Sequence, residues 1–163
     1  MNIRLAQPAD DPELINLIAG FRHSLSELRD RPCMADPAAA AAELADYRRK
    51  DYPIYVAELQ DGSLGGYLVC SLDGDVVWAE SLFVHPAHRR KGIAAALYKA
   101  AEDLADELGS DTIYNWVDPG NHAIIMFLGK RGYNVLNLLE LRRPYPDEEL
   151  EDKIQVGDNE FFN

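Results

Sequence analysis

Residues 84–97 contain the side chains and the backbone best suited to bind a negatively charged ligand. The segment runs from the end of a predicted strand into a predicted helix, and helix N-termini present unpaired N–H groups and a partial positive charge. Small residues let a ligand approach the backbone there, and basic residues add charge. They are Gly92, Ala94, Arg89, Arg90 and Lys91. The pattern predicts a phosphate-binding loop; a helix beginning with a solvated basic cluster is the alternative.

The elements that would position this loop follow from hydrophobic periodicity and turn residues. Strands are predicted at residues 2–6, 52–59, 64–72, 76–85, 112–117 and 133–141. Helices are predicted at residues 11–28, 37–50 with Asp36 as N-cap, 90–108 and 121–130. The order is β-α-α-β-β-β-α-β-α-β. Where a strand leads into a helix and the chain then returns in a neighbouring strand, the two strands are parallel. We therefore predict a mixed α/β (α+β) fold with about four helices around a mostly antiparallel central sheet.

Length and composition indicate one soluble domain. The chain has 163 residues, 47% of them hydrophobic and 27% charged, and no apolar run approaches the roughly 20 residues of a membrane span. The N-terminus lacks the pattern of a secretory signal, and Cys33 and Cys70 are not at metal-ligand spacing. These features predict a cytoplasmic protein without a metal site. The net charge of −12 disfavours nucleic-acid binding and suits a cationic substrate better.

The C-terminal segment differs in composition from the rest of the chain. We predict a domain over residues 1–141 and an acidic tail over residues 142–163. Apolar residues near the end of the tail, including Phe161 and Phe162, predict that it docks on the domain or on a partner subunit, because exposed aromatic residues usually need cover. A homodimer is one expectation.

The spacing Arg89-x-x-Gly92-x-Ala94, five residues after Val84, resembles the signature of the GNAT superfamily of acetyl-CoA-dependent N-acetyltransferases. The predicted element order over residues 2–141 is also similar to that fold. The resemblance implies that backbone N–H groups of the loop hold the pyrophosphate of acetyl-CoA, while the end of the preceding strand pairs with the pantetheine amides. The implied cofactor-binding residues are Leu82, Phe83, Val84, Arg89, Arg90, Lys91, Gly92, Ile93, Ala94 and Ala95.

A second stretch resembles another signature of the family, in which an Asn opens a helix that ends in Gly-aromatic. Asn121 and Gly132-Tyr133 fit it, which implies that Asn121 contacts the cofactor; a helix N-cap is the other interpretation. The chain departs from the family at Leu128, where many members carry a Tyr that protonates the departing thiolate. Water or another group would then supply the proton, or the protein binds acyl-CoA without efficient transfer.

Glu80 is the candidate general base, since a carboxylate can remove the proton that an attacking amine must lose. It precedes Val84 by four residues, and this even separation predicts that Glu80 shares a face with Leu82 and Val84. A polar residue on a half-exposed strand is the alternative interpretation. The resulting hypothesis is an N-acetyltransferase acting on a primary amine of a small molecule or a protein. A non-catalytic acyl-CoA-binding or regulatory module is the competing hypothesis.

Overall fold

The computed structural model describes residues 1–28, 33–146 and 148–162. They form two compact units, Met1–Trp116 and Val117–Asn163. The helices are α1 (Asp11–Leu28), α2 (Pro37–Arg49), α3 (Ile93–Leu108) and α4 (His122–Lys130). The strands are β1 (Asn2–Leu5), β2 (Ile54–Glu58), β3 (Leu64–Asp73), β4 (Val76–Val84), β5 (Ile113–Asn115), β6 (Lys153–Val156) and β7 (Asn159–Phe162).

The first unit is built on a five-stranded sheet in the order β1-β2-β3-β4-β5. The first four strands are antiparallel, whereas β5 joins β4 in parallel. The parallel pair arises because α3 carries the chain from the end of β4 back to the start of β5. The predicted fold class, four helices and a mostly antiparallel central sheet, is confirmed.

Helices α1 and α2 pack on one face of this sheet and α3 on the other. Alternation along β2 separates the two faces, because Ile54 and Val56 belong to the core under α1 and α2. Tyr55, between them, lies near Asp103 and Glu107 of α3, and burial raises the pKa of its phenol to about 12. The site described below depends on which of these faces each side chain of β4 and β5 occupies.

Helix α2 shows how the sequence sets an element boundary. Asp36 accepts hydrogen bonds from the N–H groups of Ala38 and Ala39, and Pro37 occupies the first helical position, which needs no donor. The predicted N-cap at Asp36 and the predicted helix start at Pro37 are therefore confirmed.

The last predicted strand, over residues 133–141, is wrong. This segment has no regular secondary structure, and its apolar side chains are exposed, with Val135 at 85% and Leu136 at 67%. Strand propensity reflects packing against a neighbouring strand, which this segment lacks. The second unit contains instead α4 and the antiparallel hairpin of β6 and β7, which falls within the region predicted as a tail. The predicted boundary at residue 141 and the docking of the tail stay predictions.

Candidate functional site

The connection from β4 to α3 has an unusual backbone. A short 3-10 turn, Pro86–His88, is followed by two residues in the left-handed region, Arg90 with φ 62° and Gly92 with φ 83°. Glycine adopts this conformation without cost, but a residue with a side chain seldom does, and such residues concentrate at functional sites. The backbone thus turns sharply just before the first turn of α3.

This turn leaves a row of N–H groups open to a ligand. Among the described residues, no hydrogen bond is donated by the backbone N–H groups of residues 90–95, whereas Ala96 donates to the Gly92 carbonyl over 3.0 Å. Gly92 is the N-cap residue of α3 and has no side chain to satisfy these donors. A Cβ added to Gly92 would meet no atom within 4 Å. The positive end of a 16-residue helix therefore faces open space.

Two of the predicted cations hold the loop together rather than extending from it. The Arg89 Nε donates to the Val84 carbonyl at 3.0 Å, and the Lys91 Nζ donates to the Ala87 carbonyl at 3.0 Å. The Arg89 guanidinium also lies 5.6 Å from the centroid of the Phe83 ring. Their charges still favour an anion nearby, while one donor of each side chain binds a backbone carbonyl group.

The end of β4 offers a free edge beside this loop. Pairing between β4 and β5 covers Val77–Ala79 and Ile113–Asn115 only, while β4 continues to Val84 alongside β3. Among the described residues of the first unit, no strand pairs with β4 on this side beyond Ala79, because β5 ends at Asn115. We call the point where this pairing ends the fork of β4 and β5. Leu82, Phe83 and Val84 lie along this edge. Unpaired backbone groups there can pair with amide groups of a ligand.

The side chain of Phe83 points away from that edge. Phe83 is 7% exposed and belongs to the core under α1 and α2. With Arg89 it lines a cavity of about 600 Å³ beside α1, to which Glu13, Gly20 and His23 also contribute. Only the backbone of Phe83 is therefore placed to contact a ligand at the edge of β4.

Glu80 lies at a β-bulge, which overturns its predicted face. The register of β3 and β4 pairs Cys70 with Ala79 and Val69 with Ser81, which leaves Glu80 as the additional residue. Its carboxylate accepts a hydrogen bond from Ser71. Ser71 follows Val69 by two residues on β3, so both lie on the α1 and α2 face. The expectation that Glu80 shares a face with Leu82 and Val84 is wrong because strict alternation fails at the bulge.

Sequence reasoning did not find Ser71, which orients the Glu80 carboxylate. Ser71 is 6% exposed, and a buried hydroxyl needs a hydrogen-bond partner. The acceptor that it finds is an exposed carboxylate at the fork of β4 and β5. Nothing in the local sequence predicts this pair, since nine residues separate the two and the bulge brings them together.

Comparison with known proteins assigns the family. The model of the acetyltransferase (GNAT) family matches residues 21–133, more than half of the chain. The chain belongs to the GNAT acetyltransferase family. A comparison with curated protein sequences gave no significant match.

Solved structures with the GNAT fold agree with this assignment. A probable acetyltransferase aligns with a TM-score of 0.72 at 20% identity, covering 91% of this chain and 100% of the other. The structure of AAC(6')-Iy with the bisubstrate analog CoA-S-monomethyl-acetylneamine aligns with a TM-score of 0.70 at 18% identity, covering 88% of this chain and 97% of the other. A ribosomal-protein-alanine N-acetyltransferase from Brucella melitensis biovar Abortus 2308 aligns with a TM-score of 0.66 at 21% identity, covering 89% of this chain and 100% of the other. These likenesses show the fold.

Asn121 and Leu128 of the second unit lie in the stretch that resembles the second GNAT signature. Asn121 is the N-cap residue of α4, and its side-chain oxygen accepts a hydrogen bond from the Ile124 N–H at 3.3 Å. The capping interpretation is thus confirmed, while the cofactor contact stays a prediction. Leu128, where the sequence resemblance predicts the tyrosine of many family members, is 5% exposed and has no proton to donate.

Over residues 1–28, 33–146 and 148–162, no group of three His, Cys, Asp or Glu side chains is arranged to hold a metal ion. The same residues include no helix with the length and apolar character needed to cross a bilayer.

Proposed function

We propose that this protein is an N-acetyltransferase that moves the acetyl group of acetyl-CoA to a primary amine. The row of open N–H groups over residues 90–95, beside the unpaired edge of β4, is the observation that carries the proposal. Pyrophosphate suits this row because its oxygens accept hydrogen bonds and its negative charge interacts favourably with the α3 dipole. The pantetheine amides suit the edge at residues 82–84.

Glu80 is the group best placed to accept protons from the amine. A protonated amine must lose one proton before its nitrogen can attack the acetyl carbon and a second one afterwards. The new carbon–nitrogen bond replaces the carbon–sulfur bond, and the departing thiolate gains one proton. Glu80 lies exposed at the point where β4 and β5 separate, so its carboxylate is accessible to an amine there. Ser71 holds that carboxylate in one orientation.

The thiolate has no proton donor at the position where the resemblance places one. Leu128 supplies none, so we propose that water protonates the thiolate. A thiolate is a stable leaving group near neutral pH, because an ordinary thiol has a pKa of about 8.5. The absence of the tyrosine therefore slows the reaction less than the loss of a base would.

A non-catalytic acyl-CoA-binding module is the second candidate, and Leu128 is the observation that favours it. Two measurements separate the candidates. Isothermal titration with acetyl-CoA measures binding, and a free-thiol assay over a panel of small amines and peptide amines measures transfer. We expect binding together with thiol release for at least one amine. Binding without release for any amine would favour the module, and no binding would contradict both proposals.

A further inference from the structure

Three aromatic side chains form a stack across β4 and β5. The ring centroid of Trp78 lies 5.0 Å from that of Tyr114 and 5.2 Å from that of Trp116. The two indole planes are inclined by only 15°, so they lie nearly parallel. Trp116 is 57% exposed, which leaves a large part of its ring in contact with solvent. The exposed face of Trp116 is therefore available to a ligand.

The stack and Glu80 lie on the same face of the sheet. Asn115 accepts a hydrogen bond from Tyr98 of α3 at 2.7 Å, so Asn115 points toward α3. Its strand neighbour Tyr114 therefore points to the opposite face, and Trp116, just after β5, stacks on Trp78. Trp78 stacks on both of them and is paired with Ser71, whose hydroxyl binds Glu80. The carboxylate and the indoles thus surround one patch at the fork of β4 and β5.

The chemistry of this patch suits cations. The face of an indole ring carries partial negative charge and attracts ammonium groups, and a carboxylate attracts them directly. The chain as a whole carries a net charge of −12, so its long-range field also draws cations toward it. Pairing ends at Ala79 and Asn115, so Glu80 is the next residue along β4 and Trp116 is the residue that follows β5. The patch therefore offers two separate positions for positive charge.

We propose that the aromatic stack of Trp78, Tyr114 and Trp116 binds a second cationic group of the acceptor, which is accordingly a diamine or polyamine. One amine lies at Glu80 and is acetylated, while a remote ammonium lies against Trp116. This inference rests on the proposed function and specifies its substrate class. An acceptor with an aromatic ring in place of the second charge is the competing interpretation, since indoles also stack on flat rings.

The first experiment measures binding independently of turnover. Trp78 and Trp116 are the only tryptophans of the chain, so selectively excited tryptophan fluorescence reports on the stack. Putrescine and n-butylamine have the same carbon chain and differ in the second ammonium. We expect putrescine to change the fluorescence of the full chain at a concentration roughly fivefold lower than n-butylamine, the size of one cation–π contact. Equal concentrations for both amines, or tighter binding of phenethylamine than of putrescine, would overturn the proposal.

Variants at Trp116 connect this binding to the patch, with Trp78 remaining as the reporter. Trp116→Leu should reduce the ratio of the n-butylamine concentration to the putrescine concentration to about one. Trp116→Phe keeps an aromatic face and should retain part of the preference for putrescine. An unchanged preference in Trp116→Leu would contradict the assignment. A melting curve for each variant confirms that it is folded.

Turnover distinguishes this inference from the proposed function. We expect kcat/KM for putrescine to exceed that for n-butylamine roughly fivefold, and Trp116→Leu to lower this ratio toward one. Acetyl transfer to both amines at equal rates would overturn the diamine inference and leave the acetyltransferase proposal intact. Binding of putrescine without transfer to any amine would contradict the proposed function while supporting the cationic patch.

Discussion

Two regions along β4 are suited to binding by different means: the loop after Val84 and the side chains around Glu80. After Val84, the loop presents backbone N–H groups, and its anion site depends on the turn at Gly92 and on the dipole of α3. At Glu80, the site depends on side chains that a bulge brings together from two strands. A backbone site follows from a few consecutive residues. A side-chain site depends on register, which the local sequence does not specify.

The largest effect is expected at Gly92, because a substitution there disrupts the backbone anion site directly. Gly92→Glu places a negative charge beside the pyrophosphate and a side chain at φ 83°. Relaxation of the loop to relieve backbone strain of about 1–3 kcal/mol, together with like-charge repulsion, should weaken acetyl-CoA binding by up to roughly 1000-fold in calorimetry. Gly92→Gln has the same strain without the charge and should lose less. If Gly92→Glu binds as tightly as the native chain, the loop is not the anion site.

This contrast explains how much could be predicted from the sequence. The loop was predicted correctly as a strand-to-helix turn, because Gly92 and the residues after it act through local backbone geometry. The roles of Arg89 and Lys91 were less predictable, since rotamers decided that both side chains bind carbonyl groups within the loop. The face of Glu80 was mispredicted because alternation contains no signal for a bulge.

The strand predicted over residues 133–141 failed for a related reason. Its run of Val and Leu residues has strand propensity, but propensity becomes structure only where a partner strand accepts it. In α3, by contrast, the apolar stripe and the terminal glycine agree with the fold, and the helix ends at Leu108 with Gly109 at φ 78°. Elements with local start and stop signals were thus predicted better than those needing distant partners.

The side-chain site at Glu80 can be tested by removing the charge of its carboxylate. Glu80→Gln keeps the shape of the side chain but removes its ability to accept a proton from the amine. We expect kcat/KM to fall about 100-fold and the remaining activity to increase with pH as the free amine becomes more abundant. Acetyl-CoA affinity should stay unchanged in calorimetry.

A matched control for this variant is Glu107→Gln, which alters an exposed carboxylate on α3, the opposite face of the sheet. It should retain native kcat/KM. Full turnover of Glu80→Gln across the pH range would remove Glu80 from the mechanism and leave the fork with only a binding role.

A smaller effect is expected at Ser71, which positions the base. Ser71→Ala removes the hydroxyl that donates to Glu80, a contact worth about 1 kcal/mol, and should lower kcat roughly fivefold without changing the KM for acetyl-CoA. Ser71→Thr retains a hydroxyl and should recover most of the loss. An equal fall in kcat for the alanine and the threonine variants would indicate that Ser71 has a packing role instead.

The smallest effect tests whether the sheet beneath the bulge is closed to solvent. Cys70, paired with Ala79, is buried, whereas Cys33 is exposed. Burial and then the charge of Glu80 raise the pKa of the Cys70 thiol to about 12, so at about pH 8 it remains protonated and unreactive. A disulfide reagent should therefore titrate one thiol in the native protein and both after denaturation. Rapid reaction of both native thiols would show that the bulge opens, and a side-chain site at Glu80 would then lack the rigid support that its hydrogen bond to Ser71 requires.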